Sequence, residues 1–284
     1  GGVGIGPLTQ IARDAGETVM GSDLAESLVT DELRNQGVKL AIGQDGAFLQ
    51  ACHTETPLDW FVYTAALPAD HPELVLAQKL GIRTAKRDAL LAEFLTTHNL
   101  KLIAISGTHG KTTTTGMMVW AMKQLGIPVS YSIGSTVSFG PSGTYDPLSE
   151  YFVYECDEYD KNFLHFNPDI SLLTSVDYDH PDTYPTEDEY RSAFNQYIQQ
   201  SALTITWQTV VEYLKPNSGD IWALGSDETL DLRLPGTHNR QNATLVHKAL
   251  ERIQPELQKD SIEALETFPG TDRRFEKLAD NLYS

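Results

Sequence analysis

The sequence predicts an α/β protein made of two consecutive units, each a parallel sheet with helices on its faces. Three observations carry that prediction. Short apolar runs alternate with amphipathic stretches along the chain, the pattern of strands joined by crossover helices. A glycine-rich turn, GGVGIG, opens the chain, and a second, SGTHGKTTTTG at 106–116, follows the apolar run KLIAIS. The length, 284 residues, suffices for two domains.

Taken in order, the first unit starts with a helix in PLTQIARDAG, where Leu8, Ile11 and Ala12 share one face. A short strand in ETVMGSD, a helix in LAESLVTDELRNQG and a strand in KLAIG follow. WFVYTAAL (60–67) reads as a buried strand, ELVLAQKLG as a helix, IRTAK as a strand and ALLAEFLTTH as a helix. The second unit opens with the strand KLIAIS and the helix TTTTGMMVWAMKQLG. YFVYEC and ISLLTS are two further strands. TEDEYRSAFNQYIQQ has a threonine and an acidic first turn, which favour a helix start. LTITW and DIWALG read as strands, and NRQNATLVHKALERI as a helix with Ala243, Val246 and Leu250 on one face. The boundaries expected are 1–97, 98–268 and a short final segment, 269–284.

Composition narrows the function classes. Apolar residues make up 40% and charged residues 21% of the chain, a globular balance. No apolar run approaches the roughly 18 residues of a membrane span, so no membrane insertion is expected. Two cysteines, Cys52 and Cys156, are too few for a disulfide framework and fit a reducing, cytoplasmic setting. A formal charge of −18 argues against nucleic acid, which needs a basic face, but not against a nucleotide held by local N–H groups.

A strand, a glycine turn and a helix start aim backbone N–H groups at one point and favour an anion there. Gly107 and Gly110 let phosphate oxygens approach the backbone, Lys111 supplies a positive charge, and Thr112 a hydroxyl able to ligate Mg²⁺. The first glycine of the full phosphate-loop pattern is absent, since Ile105 stands in its place. Two acidic runs also follow strands: ECDEYD with Glu155, Asp157, Glu158 and Asp160, and DYDHPDTY with Asp177, Asp179, His180 and Asp182. Ligands of open parallel sheets gather beyond the carboxyl ends of the strands, so all three loops can meet at one edge. Taken alone, each acidic run is more often a solvated loop and a lone His180 more often structural; the shared position at strand ends favours a site. In GTHNRQN (236–242), Asn239 and Asn242 are either helix caps or, with His238, readers of an adenine edge. The opening glycines, followed by Asp23 about twenty residues on, resemble a dinucleotide fingerprint. Nothing downstream of them suggests hydride chemistry.

Together, GTHGKTTTT, ECDEYD, TSVDYDHPDTY, LPGTHNRQNAT and FPGTDRRFE resemble, in that order, the motifs of the Mur ligase family, and GGVGIG, GSD and YTAALP resemble its UDP-binding domain. The resemblance implies a Rossmann-like UDP-sugar-binding domain followed by a central ATP-binding domain of the P-loop ATPase type. It implies an ATP- and Mg²⁺-dependent ligase joining L-alanine to UDP-N-acetylmuramate through an acyl phosphate. It further implies that Gly107, Thr108, His109, Gly110, Lys111, Thr112, Thr113, His238, Asn239, Asn242 and Arg274 bind ATP. Lys111, Glu155 and His180 would be catalytic, with Thr112 and Glu155 as ligands of one Mg²⁺ and His180 of a second. Gly4, Ser22, Asp23, Thr64 and Ala65 match positions that contact UDP in the family.

Some features depart from the family. A C-terminal domain that binds the amino acid is expected in this family, and the chain is expected to be a fragment without it, inactive in turnover by itself. Ser175 stands where an asparagine is usual, and the stretch between Gln200 and Leu234 is short for two strands. Tyr159 matches relatives that join a ready-made tripeptide to the same muramate, whereas the direct run from Asn162 to His165 favours L-alanine. A nucleotide-binding module without catalysis is the reading from another class, and the set Lys111, Thr112, Glu155 and His180 argues against it.

Overall fold

The computed structural model of the chain describes residues 5–64, 67–271, 277–279 and 282–283. Gly4, Ala65 and Arg274, three of the expected ligand contacts, lie outside them. The chain divides into two compact units, residues 1–97 with 143–145, and residues 98–142 with 146–284.

The first unit alternates helices and strands from the start. Helix α1 (Gly6–Asp14) carries Pro7 in its first turn, where a missing N–H costs nothing, and buries Leu8 and Ile11. Strand β1 (Met20–Asp23) precedes α2 (Leu28–Asn35), which opens on a reciprocal cap: Ser27 Oγ accepts from Thr30 N, and Thr30 Oγ1 from Ser27 N. Strand β2 (Lys39–Ile42) pairs parallel with β1. Next comes α3 (Ala47–Glu55), a helix the sequence reading did not include; it starts at Gly46, whose φ of +92° is open to glycine. Strand β3 (Trp60–Tyr63) is half-buried rather than buried, and shorter than WFVYTAAL suggests. Helix α4 (Pro72–Lys79), strand β4 (Arg83–Lys86) and helix α5 (Arg87–Thr97) complete the unit. Strand β4 pairs parallel with β3, so among the described residues the unit has two separate strand pairs instead of one continuous sheet. Leu49, Ala77 and Ile82 form a core under Leu58, Phe61, Leu76 and Leu80.

In the second unit, β5 (Lys101–Ser106) leads into α6 (Lys111–Gln124) and β6 (Val129–Ser132). The two-residue β7 (Gly143–Thr144) belongs to the first unit, where Asp14 Oδ2 accepts from Thr144 Oγ1 at 2.8 Å and Tyr145 N at 3.1 Å. Then come β8 (Tyr151–Glu155), β9 (Ile170–Leu173), α7 (Glu187–Gln200), β10 (Thr204–Trp207), α8 (Gln208–Leu214), β11 (Ile221–Leu224), α9 (Thr237–Ile253) and α10 (Gln258–Glu266). Helix α7 starts as its sequence requires, with Thr186 Oγ1 accepting from Glu189 N. The strands of this unit lie in the order β11-β10-β9-β5-β8-β6, all parallel. Strands β5, β8 and β9 are buried almost throughout, which is why they read as continuous apolar runs. Both strands expected between Gln200 and Leu234 form, with α8 between them. Helix α6 is buried on nearly all sides, and its Gly116 admits Thr271 and Phe268, whose atoms would lie 2.9 and 3.3 Å from a Cβ. No described helix is long and apolar enough to cross a membrane.

Candidate functional site

Strand β5 sits between β8 and β9, while the chain leaves β5 to form β6 on the far side of β8. The strand order therefore reverses direction around β5, and a crevice opens beyond its carboxyl end. The three loops flanking that crevice are 107–110, 156–158 and 174–180. They hold the three motifs singled out in the sequence, and the structure brings them together.

The loop after β5 is tied to the loop after β9. Gly107 has a φ of +126°, and a Cβ there would lie 2.5 Å from Ser175 O and 2.6 Å from Thr174 Oγ1, so only glycine fits. Thr108 N donates to Ser175 O at 2.8 Å, and His109 N to Ser175 Oγ at 3.2 Å. Thr174 Oγ1 donates to His109 O at 2.5 Å. Thr108 Oγ1 bonds both Asp177 O and Tyr190 OH at 2.9 Å. The N–H groups of Thr108 and His109, expected at the phosphate, are therefore committed to Ser175. Helix α6 begins at Gly110 (φ +88°), and the N–H groups of Lys111, Thr112 and Thr113 in its first turn have no acceptor within the helix. Those groups, with the helix dipole, are what the loop offers an anion.

Beside them stand two carboxylates, one bonded to a cation and one to neutral donors. Lys111 Nζ donates to Gly107 O at 2.7 Å and to both Glu158 oxygens at 2.8 and 3.0 Å. Glu158 is fully buried, and its backbone carbonyl accepts from Tyr184 OH at 2.5 Å. Burial pushes the Glu158 carboxyl up, and the Lys111 ammonium pulls it part of the way back. Burial also raises the Tyr184 and Tyr190 phenols, with Glu158 adding to both. In the second arrangement Thr112 Oγ1 donates to Glu155 Oε1 at 2.7 Å, while Gly134 N donates to Glu155 Oε2 at 2.7 Å. A Cβ at Gly134 would lie 2.8 Å from that carboxylate.

His180 takes a left-handed conformation (φ +56°), and its N–H donates to Asp179 Oδ1 at 2.7 Å. Its Nε2 lies 3.6 Å from Glu158 Oε1, and the Tyr159 ring meets its edge at 5.2 Å. Tyr159 OH in turn donates to Asp182 Oδ2 at 3.0 Å. Of the expected metal ligands, Thr112 and Glu155 are partners, while His180, expected on a second ion, neighbours Glu158. Among the described residues no three His, Cys, Asp or Glu side chains gather as a metal cage. Mg²⁺ is ordinarily held by one or two protein oxygens plus phosphates and waters, and the Thr112–Glu155 oxygen pair at a helix N-terminus fits that mode.

The other expected residues divide similarly. Asn242, buried, faces the loop, its amide 3.0 Å from where a Gly110 Cβ would stand. Asn239 Nδ2 is committed to Pro235 O at 2.7 Å, and His238 is exposed. Neither asparagine caps α9, because Gly236 (φ +82°) is the capping residue and no side chain serves there. In the first unit, Ser22 and Asp23 end β1, and Thr64 follows β3. Ser22 Oγ donates to Glu73 Oε2 at 2.7 Å, Asp23 Oδ1 accepts from Leu24 N at 2.7 Å, and Thr64 O accepts from Leu67 N. Sequence reasoning missed Gly134, Ser175 as a loop anchor, Tyr184, Tyr190 and the burial of Glu158. Only Gly134, a glycine just past a strand, had a local signal.

A sequence model of the Mur ligase family, catalytic domain, matches residues 1–99, and one of the Mur ligase middle domain matches residues 105–205. The UDP-N-acetylmuramate–L-alanine ligase of Chloroflexus aggregans is 30% identical over 326 residues, covering 97% of this chain and 67% of that protein. The chain spans between 41% and 65% of the length of the first curated relatives it matches. Among solved structures, the UDP-N-acetylmuramate:L-alanyl-gamma-D-glutamyl-meso-diaminopimelate ligase of Neisseria meningitides superposes with a TM-score of 0.82 at 24% identity, covering 94% of this chain and 95% of that one. The UDP-N-acetylmuramate–alanine ligase of Thermotoga maritima gives 0.80 at 24% identity, covering 100% and 70%. These two share the fold equally well. With family models matching both units and a relative 30% identical along nearly the whole chain, the chain belongs to the Mur ligase family.

Proposed function

We propose that the chain carries the UDP-sugar and ATP sites of a ligase that joins L-alanine to UDP-N-acetylmuramate. The observation that carries the reading is the meeting of Lys111, the Thr112–Glu155 pair and the α6 N-terminus in one crevice. In this reading residues 1–97 hold the UDP-sugar, with Ser22, Asp23 and Thr64 at strand ends, and residues 98–268 hold ATP. The first-turn N–H groups of α6 and Lys111 bind the phosphates, Thr112 and Glu155 hold Mg²⁺, and Asn242 lies toward the base. Mg²⁺, when bound, neutralises phosphate charge and draws the two anionic reactants together. The muramate carboxylate attacks the γ-phosphate, ADP leaves, and the amine displaces phosphate from the resulting acyl phosphate. The chain's own contribution is positioning and charge stabilisation, which dominate phosphoryl transfer.

Tyr159 supports a second reading, in which a ready-made tripeptide replaces L-alanine. Titration of the chain with UDP-N-acetylmuramate, and ADP release by the full-length ligase given ATP and either L-alanine or tripeptide, test both. Saturable muramate binding by the chain is expected, with ADP release by the full-length ligase on L-alanine. Absence of muramate binding would overturn the ligase reading and leave a nucleotide-binding module.

A further inference from the structure

The Lys111 ammonium faces two carboxylates, and a third stands beside its helix neighbour. Glu158 bonds it directly, Asp157 Oδ1 lies 3.9 Å from Nζ, and Glu155, the last residue of β8, accepts from Thr112 Oγ1. The three are not equivalent. Asp157 is 43% exposed and screened by water, and Glu155 is the oxygen partner of Thr112. Glu158, at 0% exposure, is bonded to the lysine through both oxygens and is screened by nothing. Its carbonyl is held by Tyr184 OH and Lys161 N, so the residue is fixed on the lysine. His180 Nε2, 3.6 Å away, is the other nitrogen group facing it. A free nucleoside triphosphate is a polyanion, and at this crevice it meets a cation whose charge is already matched.

We propose that Glu158 is a specificity-determining residue which makes the loop select the magnesium complex of a nucleoside triphosphate over the free anion. Because Glu158 neutralises Lys111, the lysine gives free nucleotide no net attraction. The metal complex, with two fewer negative charges and the Thr112–Glu155 oxygens as ligands, binds in spite of it. This inference rests on the reading of the loop as the nucleotide site.

The test is calorimetric titration of the whole chain with ATP, in EDTA and in excess Mg²⁺, for the native protein and Glu158→Gln. One unit charge about 6 Å from a phosphate, at an effective dielectric near 20, corresponds to a factor of about 100 in affinity. Binding in EDTA is expected to tighten at least about tenfold in Glu158→Gln, with a much smaller change in Mg²⁺, so the preference for the metal complex collapses. Glu158→Asp, which keeps the charge, is expected to keep the preference. Unchanged or weaker EDTA binding in Glu158→Gln, or an equal collapse in Glu158→Asp, overturns the inference. Should Glu158→Gln fail to fold, the double variant Lys111→Met/Glu158→Gln removes both charges and is expected to bind free ATP within about threefold of the native protein. A larger loss overturns the charge-matching argument. Native protein that binds ATP in neither condition refutes the nucleotide site itself, an outcome separate from an unaltered preference.

Discussion

Replacing Lys111 by methionine keeps the length of the side chain, removes the ammonium, and leaves Glu158 buried without its cation. An unpaired buried charge costs about 3–5 kcal/mol. Protonation limits that cost: a glutamate carboxyl ordinarily titrates at 4.5, and bringing it to the neutral form at pH 7 costs about 3.4 kcal/mol, at about 1.36 kcal/mol per pH unit. At pH 5 the same limit is about 0.7 kcal/mol. The sign follows from the direction of the shift. Burial already raises the folded carboxyl above 4.5, and a group raised on folding contributes stability below 4.5 and loses it as pH rises through the folded value. Removing Lys111 raises the folded value further and widens that window. Lys111→Met is therefore expected to lose about 3 kcal/mol at pH 7 and under about 1 kcal/mol at pH 5. Urea unfolding followed by intrinsic fluorescence at pH 5, 6, 7 and 8 measures it, with Lys111→Met/Glu158→Gln recovering most of the loss at pH 7. A deficit equal at pH 5 and pH 8 would refute the reasoning, as would a double variant no more stable than the single one.

Gly107→Ala places a Cβ 2.5 Å from Ser175 O at a φ of +126°, and is expected to cost about 2 kcal/mol or more and to abolish Mg·ATP binding. A denaturation midpoint equal to the native one contradicts it. Glu155→Ala is expected to weaken ATP binding in Mg²⁺ more than in EDTA, and equal losses in titration would remove Glu155 from the metal site. His247, bonded to Ser261 at 2.8 Å between α9 and α10, has its imidazole pushed down by burial, so its stabilisation is present above its ordinary 6.5 and is lost as pH falls. His247→Gln is expected to flatten the stability profile between pH 7 and pH 5, measured by urea unfolding; an unchanged slope contradicts it.

The parallel α/β character of both units was legible because β5, β8 and β9 are buried on both faces and carry continuous apolar runs. Helices α3, α8 and α10, of nine residues or fewer with two or three buried side chains each, were not read. The short β6, VSYS, alternates polar and apolar residues yet is mostly buried, because Ser130 Oγ bonds Ser149 Oγ at 2.6 Å. At the site, Lys111, Thr112 and Glu155 were legible from residue type and spacing. Glu158 was quoted in the acidic run but given no role, because a charge run looks the same whether its members face water or a lysine. Of the two readings left open for the asparagines at the start of α9, capping is not the one seen: Asn239 turns back to Pro235 and leaves Gly236 at the cap. Gly4, Ala65 and Arg274 lie outside the described residues.

The central claim is that the loop from Gly107 to Thr113 holds nucleotide phosphate. Calorimetric titration with Mg·ATP of the native chain and of Lys111→Ala, each also titrated with UDP-N-acetylmuramate, tests it most directly. The account predicts saturable Mg·ATP binding that Lys111→Ala abolishes while muramate binding persists. Mg·ATP binding that survives in Lys111→Ala, or its absence from the native chain, would contradict it.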